Sequence, residues 1–118
     1  MFERIRRFFD TNRYYNAVKR ANAAYAKTGE RMYIILQTDG QLIIMDRSFF
    51  RQMKKEHRLP ANTSINDLQR ECLYHTPYNN GVGAMTKERM EQCLDRYLKW
   101  CKADRELKKT IKKISKRS

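Results

Sequence analysis

The sequence contains little of what builds linkers, fibrous proteins or membrane spans. Its 118 residues include only two prolines and four glycines, whereas low-complexity linkers and collagen-like chains are rich in both. The longest uncharged run, 72–86, contains a proline and two glycines and falls short of the ~20 apolar residues of a transmembrane helix. Because 41% of the residues are hydrophobic, the chain can bury a core, and its length predicts one domain.

Cysteine is also scarce and follows no disulfide framework. Cys72, Cys93 and Cys101 are an odd number, and the last two are eight residues apart, ~12 Å of rise on a predicted helix, which excludes a disulfide between them if that helix forms. The opening segment interleaves charged and apolar residues and lacks the apolar centre of a secretory signal. We therefore expect free thiols and a cytoplasmic protein in a reducing compartment.

Acidic residues are few relative to basic ones. Thirteen Asp and Glu stand against 26 Lys and Arg, a net charge of +13. Residues 1–31 carry a net charge of +5 and residues 86–118 carry +7, while the middle of the chain is nearly neutral. The first segment is rich in Arg and the last in Lys. Because such runs repel themselves in water, folding alone does not explain them.

The apolar pattern predicts a mostly helical α+β fold with an N-terminal helix and a β-hairpin. Helical spacing over residues 2–27 indicates one long helix, or two short ones with a break at 10–12, where the residues favour caps. Gly29 is a suitable residue for ending this element. Two β-branched, apolar runs flank Asp39 and Gly40, which predicts a hairpin. Both strands are apolar on both faces, so we expect helices to cover them.

Two short helices and one long helix should follow the hairpin. The first short helix begins at Asp46 or Ser48, and the second begins at Thr63 or Ser64. The second runs through the sequence SINDLQRECLYH, which places its tyrosine and histidine, residues 74–75, near its end. A loop then leads to the last helix of the chain.

The last helix is predicted from residue 87 to about 116, after Thr86 as N-cap. Its apolar stripe is broad between 90 and 101 and narrows to a single seam beyond 104. Thirty residues rise ~45 Å, more than the ~34 Å width of a globule of this length, so the helix should project. We predict one globular domain over residues 1–104 and a basic helical extension over residues 105–118, with the seam formed by Leu107, Ile111 and Ile114.

Motifs that carry catalytic or metal chemistry are weak. Cys72 and His75 have the spacing of a zinc half-site or, on one helix, of a thiolate–imidazolium pair, but no second ligand pair or orienting residue accompanies them. Gly81 and Gly83 precede a helix without the order of a phosphate-binding loop. We therefore predict no metal, no cofactor and no enzymatic activity.

The charge distribution favours a protein that binds nucleic acid, DNA or RNA, mainly through its phosphates and largely independently of sequence. The alternative is a structural or adaptor subunit whose seam docks an acidic partner protein or a second copy. The first segment, with Phe2, Ile5, Phe8 and Phe9, also has the pattern of a membrane-surface helix or of a lid on the core, and we do not expect membrane contact. The predicted phosphate-binding residues are Arg4, Arg6, Arg7, Arg13, Lys19, Arg20, Lys99, Lys102, Arg105, Lys108, Lys109, Lys112, Lys113, Lys116 and Arg117.

Overall fold

The computed structural model describes the backbone of residues 2–117 and the side chains of residues 3–115. Its elements confirm the mostly helical α+β class and the β-hairpin, and the last helix is long and unbroken. No helix in the described part of the chain is long and apolar enough to cross a membrane. The elements in chain order are α1 (Phe2–Thr28), β1 (Tyr33–Leu36), β2 (Leu42–Met45), α2 (Arg47–Lys55), α3 (Ile65–Glu71), β3 (Tyr74–His75) and α4 (Lys87–Arg117).

The three strands form an antiparallel sheet in the order β2-β1-β3, and both faces of the sheet are covered as predicted. Side chains alternate between the faces along each strand. Ile34 belongs to the core cluster that the sheet shares with α1 and α4. Tyr33 and Met45 pack on the opposite face with Phe50 of α2 and Leu68 of α3. The short hairpin is therefore held between two helical layers.

Polar residues cap the later helices where the sequence predicts. The Asp46 side chain accepts a hydrogen bond from the Phe49 N–H at 2.7 Å, and Ser64 forms a reciprocal capping box with Asp67. The Thr86 hydroxyl accepts from the Arg89 N–H at 3.1 Å. Each bond satisfies an N–H that a helix start leaves without a helical partner.

Helix α1 is a single helix that runs antiparallel to α4. The rings of Tyr14 and Tyr97 lie 6.2 Å apart between their centroids. Closer to the start of α1, an Arg105 Nη atom lies 2.7 Å from a carboxylate oxygen of Asp10 and the other lies 2.9 Å from Glu3. The possible break at 10–12 does not occur, because the Asp10 carboxylate binds Arg105 on α4 and does not cap a second helix.

The position of residues 74–75 corrects the prediction that they end a helix. Helix α3 ends at Glu71, and Tyr74 and His75 form β3 beside β1. The Leu73 N–H donates to the Ile34 carbonyl at 2.8 Å. The edge of β1 thus offers backbone partners that a local sequence pattern does not reveal, and these partners favour a strand over a further helical turn.

A buried arginine fastens the loop that leads to α4. Arg31 donates through Nε to the Thr76 carbonyl at 2.8 Å and through Nη2 to the Gly83 carbonyl at 2.9 Å. The same Nη2 lies 2.8 Å from Nδ1 of His75, and the guanidinium lies 4.0 Å from the centroid of the Tyr78 ring. Since a guanidinium only donates, His75 Nδ1 accepts this bond when the ring is neutral and carries its proton on Nε2.

Lowering the pH should destabilise the fold through His75. Burial lowers the pKa of His75 below its usual value near 6.5, so the unfolded chain takes up a proton that the folded chain does not. We expect the free energy of unfolding to fall between about pH 7 and about pH 5. Urea unfolding at a series of pH values measures this change.

The His75→Asn variant is the control, because an amide oxygen can accept from Arg31 but does not titrate. Its stability should change less over the same pH range. A variant that retains the full pH dependence of the wild type would show that His75 is not its source.

Removing Arg105 should destabilise the packing of α1 on α4. The Asp10 side chain is only 5% exposed and would retain only Arg13, at 3.7 Å. Because Arg105 is 20% exposed, the free energy of unfolding of Arg105→Ala should fall by more than the ~1 kcal/mol of an exposed pair. It should fall by less than the ~3–5 kcal/mol that breaking a fully buried pair costs. Urea unfolding measures it.

Lys108→Ala is the matched control, because it breaks an exposed pair with Asp104 on the same helix. Its loss should stay below ~1 kcal/mol. Equal losses in the two variants would contradict a special role for the Asp10–Arg105 pair.

Candidate functional site

The packing of α1 on α4 brings the two basic segments of the sequence to one end of the molecule. Glu3 and Asp10 both contact Arg105, so the start of α1 lies beside residues 98–105 of α4. The remaining residues of α4 extend ~18 Å past that contact, and the molecule is 55 Å long. We call residues 2–13 together with 99–117 the basic end. It contains thirteen cations and four carboxylates, a net charge of +9 out of +13.

Most predicted phosphate-binding residues at the basic end are exposed and have no ion-pair partner among the described residues. Three cations differ slightly, since Lys99 lies 3.0 Å from Asp95, Lys108 lies 3.0 Å from Asp104, and Arg13 lies 3.7 Å from Asp10. All three are still more than half exposed, so these pairs contribute little. The unpaired, exposed residues are Arg4, Arg6, Arg7, Lys102, Lys109, Lys112 and Lys113.

The other predicted phosphate-binding residues have different positions. Arg105 is occupied by two carboxylates, and we therefore leave it out of the candidate surface. Lys19 and Arg20 are exposed further along α1, away from the basic end. The side chains of Lys116 and Arg117 lie outside the described residues.

Exposed apolar side chains also lie at this end. Leu107, Ile111 and Ile114 are 57–63% exposed, which places the predicted seam on the surface. At 100° per residue, Lys109 lies ~160° around α4 from Leu107. The projecting part of α4 therefore has an apolar face and a lysine face on opposite sides.

The start of α1 carries a second apolar patch and does not form a lid on the core. Ile5, Phe8 and Phe9 are 49–62% exposed, and Phe8 and Phe9 contact each other edge to face. The interpretation of this segment as a lid on the core is therefore wrong for Ile5, Phe8 and Phe9. The side chain of Phe2 lies outside the described residues. The buried face of α1 begins instead at Asp10 and continues with Tyr14 and Ala17.

A cleft opens between α1, the hairpin turn and α4, which we call the α1–turn–α4 cleft. Its volume is about 570 Å³. A Cβ atom on Gly40 would lie 3.4 Å from the Trp100 ring, so the turn packs closely against this tryptophan. Sequence reasoning missed the cleft, because no local signal shows that the hairpin turn meets the middle of α4. The lining residues include Arg6, Phe9, Arg13, Gln41, Trp100 and Asp104.

Cys72 and His75 do not form the pair that the sequence spacing suggested. Cys72 is the C-cap residue that follows α3, and His75 lies in β3. Burial raises the pKa of the Cys72 thiol to about 11 and lowers the pKa of His75, so at neutral pH both groups are uncharged. No group of three or more His, Cys, Asp or Glu within the described part of the chain is arranged to hold a metal ion.

The loop that contains Gly81 and Gly83 is held by Arg31, which precedes β1, and by Tyr25 of α1. Both glycines have positive φ values, 81° and 82°, which suits a compact turn. The Gly83 carbonyl accepts from Arg31 at 2.9 Å, and the Tyr25 hydroxyl donates to the Tyr78 carbonyl. The loop thus contributes backbone carbonyls to a buried arginine, an arrangement unlike the ring of N–H groups that cradles a phosphate.

Comparison with known proteins identifies no relative of this chain. A scan against protein-family models, a search of curated proteins and a search of solved structures each found no match.

Proposed function

We propose that this chain is a non-enzymatic protein that binds nucleic acid through phosphate contacts at the basic end, largely independently of sequence. One observation carries the proposal: the antiparallel packing of α1 on α4 joins two basic segments, separated by most of the chain, into one exposed surface. A duplex presents one negative charge per ~1.7 Å of its axis, so one stretch of nucleic acid can neutralise many of these cations at once.

The exposed lysines of α4 are suited to following a phosphate backbone. Lys102, Lys109 and Lys113 share one side of the helix, and none of them has a carboxylate partner among the described residues. Because these side chains are long, mobile and hydrated, they can reach phosphates without a fixed geometry. Binding therefore breaks no intramolecular ion pair at these positions.

The arginines of α1 add a more rigid row. Arg6, Arg13 and Arg20 recur every seven residues, which places them on one flank of the helix at intervals of ~10.5 Å. A guanidinium can hold a phosphate through two parallel hydrogen bonds. This row runs from the basic end toward the middle of the molecule, and Arg6 and Arg13 line the α1–turn–α4 cleft. Lys102 lies with Arg7 on the other flank of the α1–α4 contact, so the cations cover both flanks of the basic end.

The exposed seam supports a second candidate function, that of an assembly subunit. Leu107, Ile111 and Ile114 form an apolar row on a helix that no other described element covers. Two copies of this seam can pair as helices do in a coiled coil. Their lysines would repel each other, so such pairing should strengthen as salt screens the charges, whereas nucleic-acid binding should weaken.

Nucleic-acid binding should depend steeply on salt. Six phosphate contacts give a slope of log K against log salt of about −5 on duplex DNA and about −4 on a single strand. The double variant Lys109→Ala/Lys113→Ala should reduce the magnitude of the slope by about 2. Fluorescence anisotropy with labelled duplex DNA, single-stranded DNA and RNA at several salt concentrations measures both values.

The matched control is Lys55→Ala/Lys87→Ala, which removes the same charge from other exposed sites. Lys55 lies on α2, which covers the face of the sheet opposite to α1 and α4. Lys87 lies ~33 Å along α4 from Lys109. The control should keep the wild-type slope. Affinity that is flat in salt, or equal effects of the two double variants, would overturn the proposed function.

Seam pairing predicts self-association that rises with salt. The Ile111→Gln/Ile114→Gln variant should stay monomeric and still bind nucleic acid with the affinity of a single copy, because glutamine preserves helix propensity but removes the apolar row. Thr110→Gln, on the same helix, is the control. Sedimentation equilibrium at low and high salt measures the oligomeric state.

A wild-type chain that is monomeric at every salt concentration would overturn the pairing. If anionic phospholipid vesicles instead bound the wild type but not the seam variant, the seam would contact a membrane surface.

A further inference from the structure

The α1–turn–α4 cleft contains aromatic surface that the core covers only in part, since Trp100 packs against the core cluster on one side. Trp100 is half-buried, with the Gly40 turn against its outer carbons, and it is the only tryptophan in the chain. Phe9 lines the same cleft and is 58% exposed. Exposing an aromatic ring of this size forgoes the stabilisation that burial provides. The two rings therefore provide flat apolar surface to a molecule that enters the cleft.

Cations surround this aromatic surface. Arg6 and Lys108 line the cleft and are exposed, and Arg13 lines it with a side chain that is 58% exposed. Arg105 also lines it but is held by Asp10 and Glu3. The mobile cations therefore lie toward the solvent, whereas the charge that lies deeper is already neutralised. An anionic group fits at the mouth of the cleft.

Uncharged and acidic groups line the cleft beside the rings. Asp39 and Gln41 come from the hairpin turn, and Asp104 comes from α4. Carboxylates accept hydrogen bonds from amino groups, and an amide both donates and accepts. The two carboxylates repel a phosphate, but the carboxylates and the amide can all bind the edge of a nucleobase, as acidic side chains do with the amino group of cytosine. The cleft thus combines aromatic faces, base-edge partners and phosphate-binding cations.

We propose that the α1–turn–α4 cleft binds an unpaired nucleobase, so that the nucleic acid recognised by this chain is single-stranded. The base stacks on Phe9 or Trp100, and the adjoining phosphates contact Arg6 and Arg13. Aromatic stacking combined with a basic groove is the general basis of single-strand binding. The cleft volume of about 570 Å³ lies within the ~300–1,000 Å³ of small-molecule sites. The inference rests on the proposed function and specifies its substrate.

Trp100 provides a direct test, because its fluorescence reports contact with a base in the wild-type protein. A single-stranded oligonucleotide should quench this fluorescence as it binds. An abasic oligonucleotide of the same length and charge, and a duplex, should bind through phosphates with little quenching. Binding of each is followed in parallel by anisotropy, so that quenching and affinity are measured separately.

Phe9→Ala tests the stacking surface independently. Its affinity for single strands should fall by about 5- to 150-fold, which corresponds to the loss of one stacked base, with little change for the abasic strand. Phe49→Ala is the control, because Phe49 is also an exposed phenylalanine but lies on α2 and does not line the cleft. Both variants should fold, since neither side chain is buried.

The outcomes separate this inference from the proposed function. Salt-dependent binding that is equal for normal, abasic and duplex nucleic acid, without quenching, would overturn the base site and leave the phosphate-binding function standing. The absence of binding to any nucleic acid would overturn both. Quenching by single strands together with a specific effect of Phe9→Ala would support both.

Discussion

The antiparallel contact between α1 and α4 is the constraint on which the rest of the molecule depends. It joins the first and last segments of the chain through the Tyr14 and Tyr97 rings and through Arg105, which binds Asp10 at 2.7 Å. Asp10 is almost completely buried, and a buried carboxylate without a partner would be strongly destabilising. The ion pair therefore favours the pairing that places the start of α1 beside α4, where the projecting part of α4 begins.

This pairing has an electrostatic cost, because it brings like charges together. A net charge of +9 at one end of a small protein opposes folding through self-repulsion. The apolar clusters on both faces of the sheet supply the stabilisation, and only Trp100 and Cys101 of these clusters belong to the basic end. The structure thus separates a packed part with a net charge of +4 from the basic end, which keeps seven cations exposed and without an ion-pair partner among the described residues. A polyanion that relieved this repulsion would stabilise the folded chain by binding it.

Local patterns predicted much of the fold, and non-local contacts account for what they missed. The Asp39-Gly40 turn, the N-caps at Asp46, Ser64 and Thr86, and the narrowing of the α4 stripe all depend on neighbours in sequence. Strand β3 depends on the distant edge of β1. The positions of the individual lysines and arginines could likewise be read from the sequence. The sequence did not show that the basic segments of α1 and α4 meet or that a cleft forms at Trp100. Both features depend on how α1, the hairpin and α4 pack together, which no single segment encodes.

The two faces of the projecting part of α4 make the candidate functions compatible. Lysines and the apolar seam lie on opposite sides of the helix, so phosphates on Lys109 and Lys113 would leave Ile111 accessible. Neutralising the lysines would also remove the repulsion that keeps two seams apart. Nucleic-acid binding at the basic end would therefore promote pairing of the seams, and pairing would place two base-binding clefts on one strand. Occupation of both clefts would then raise the apparent affinity through the high effective concentration of the second site.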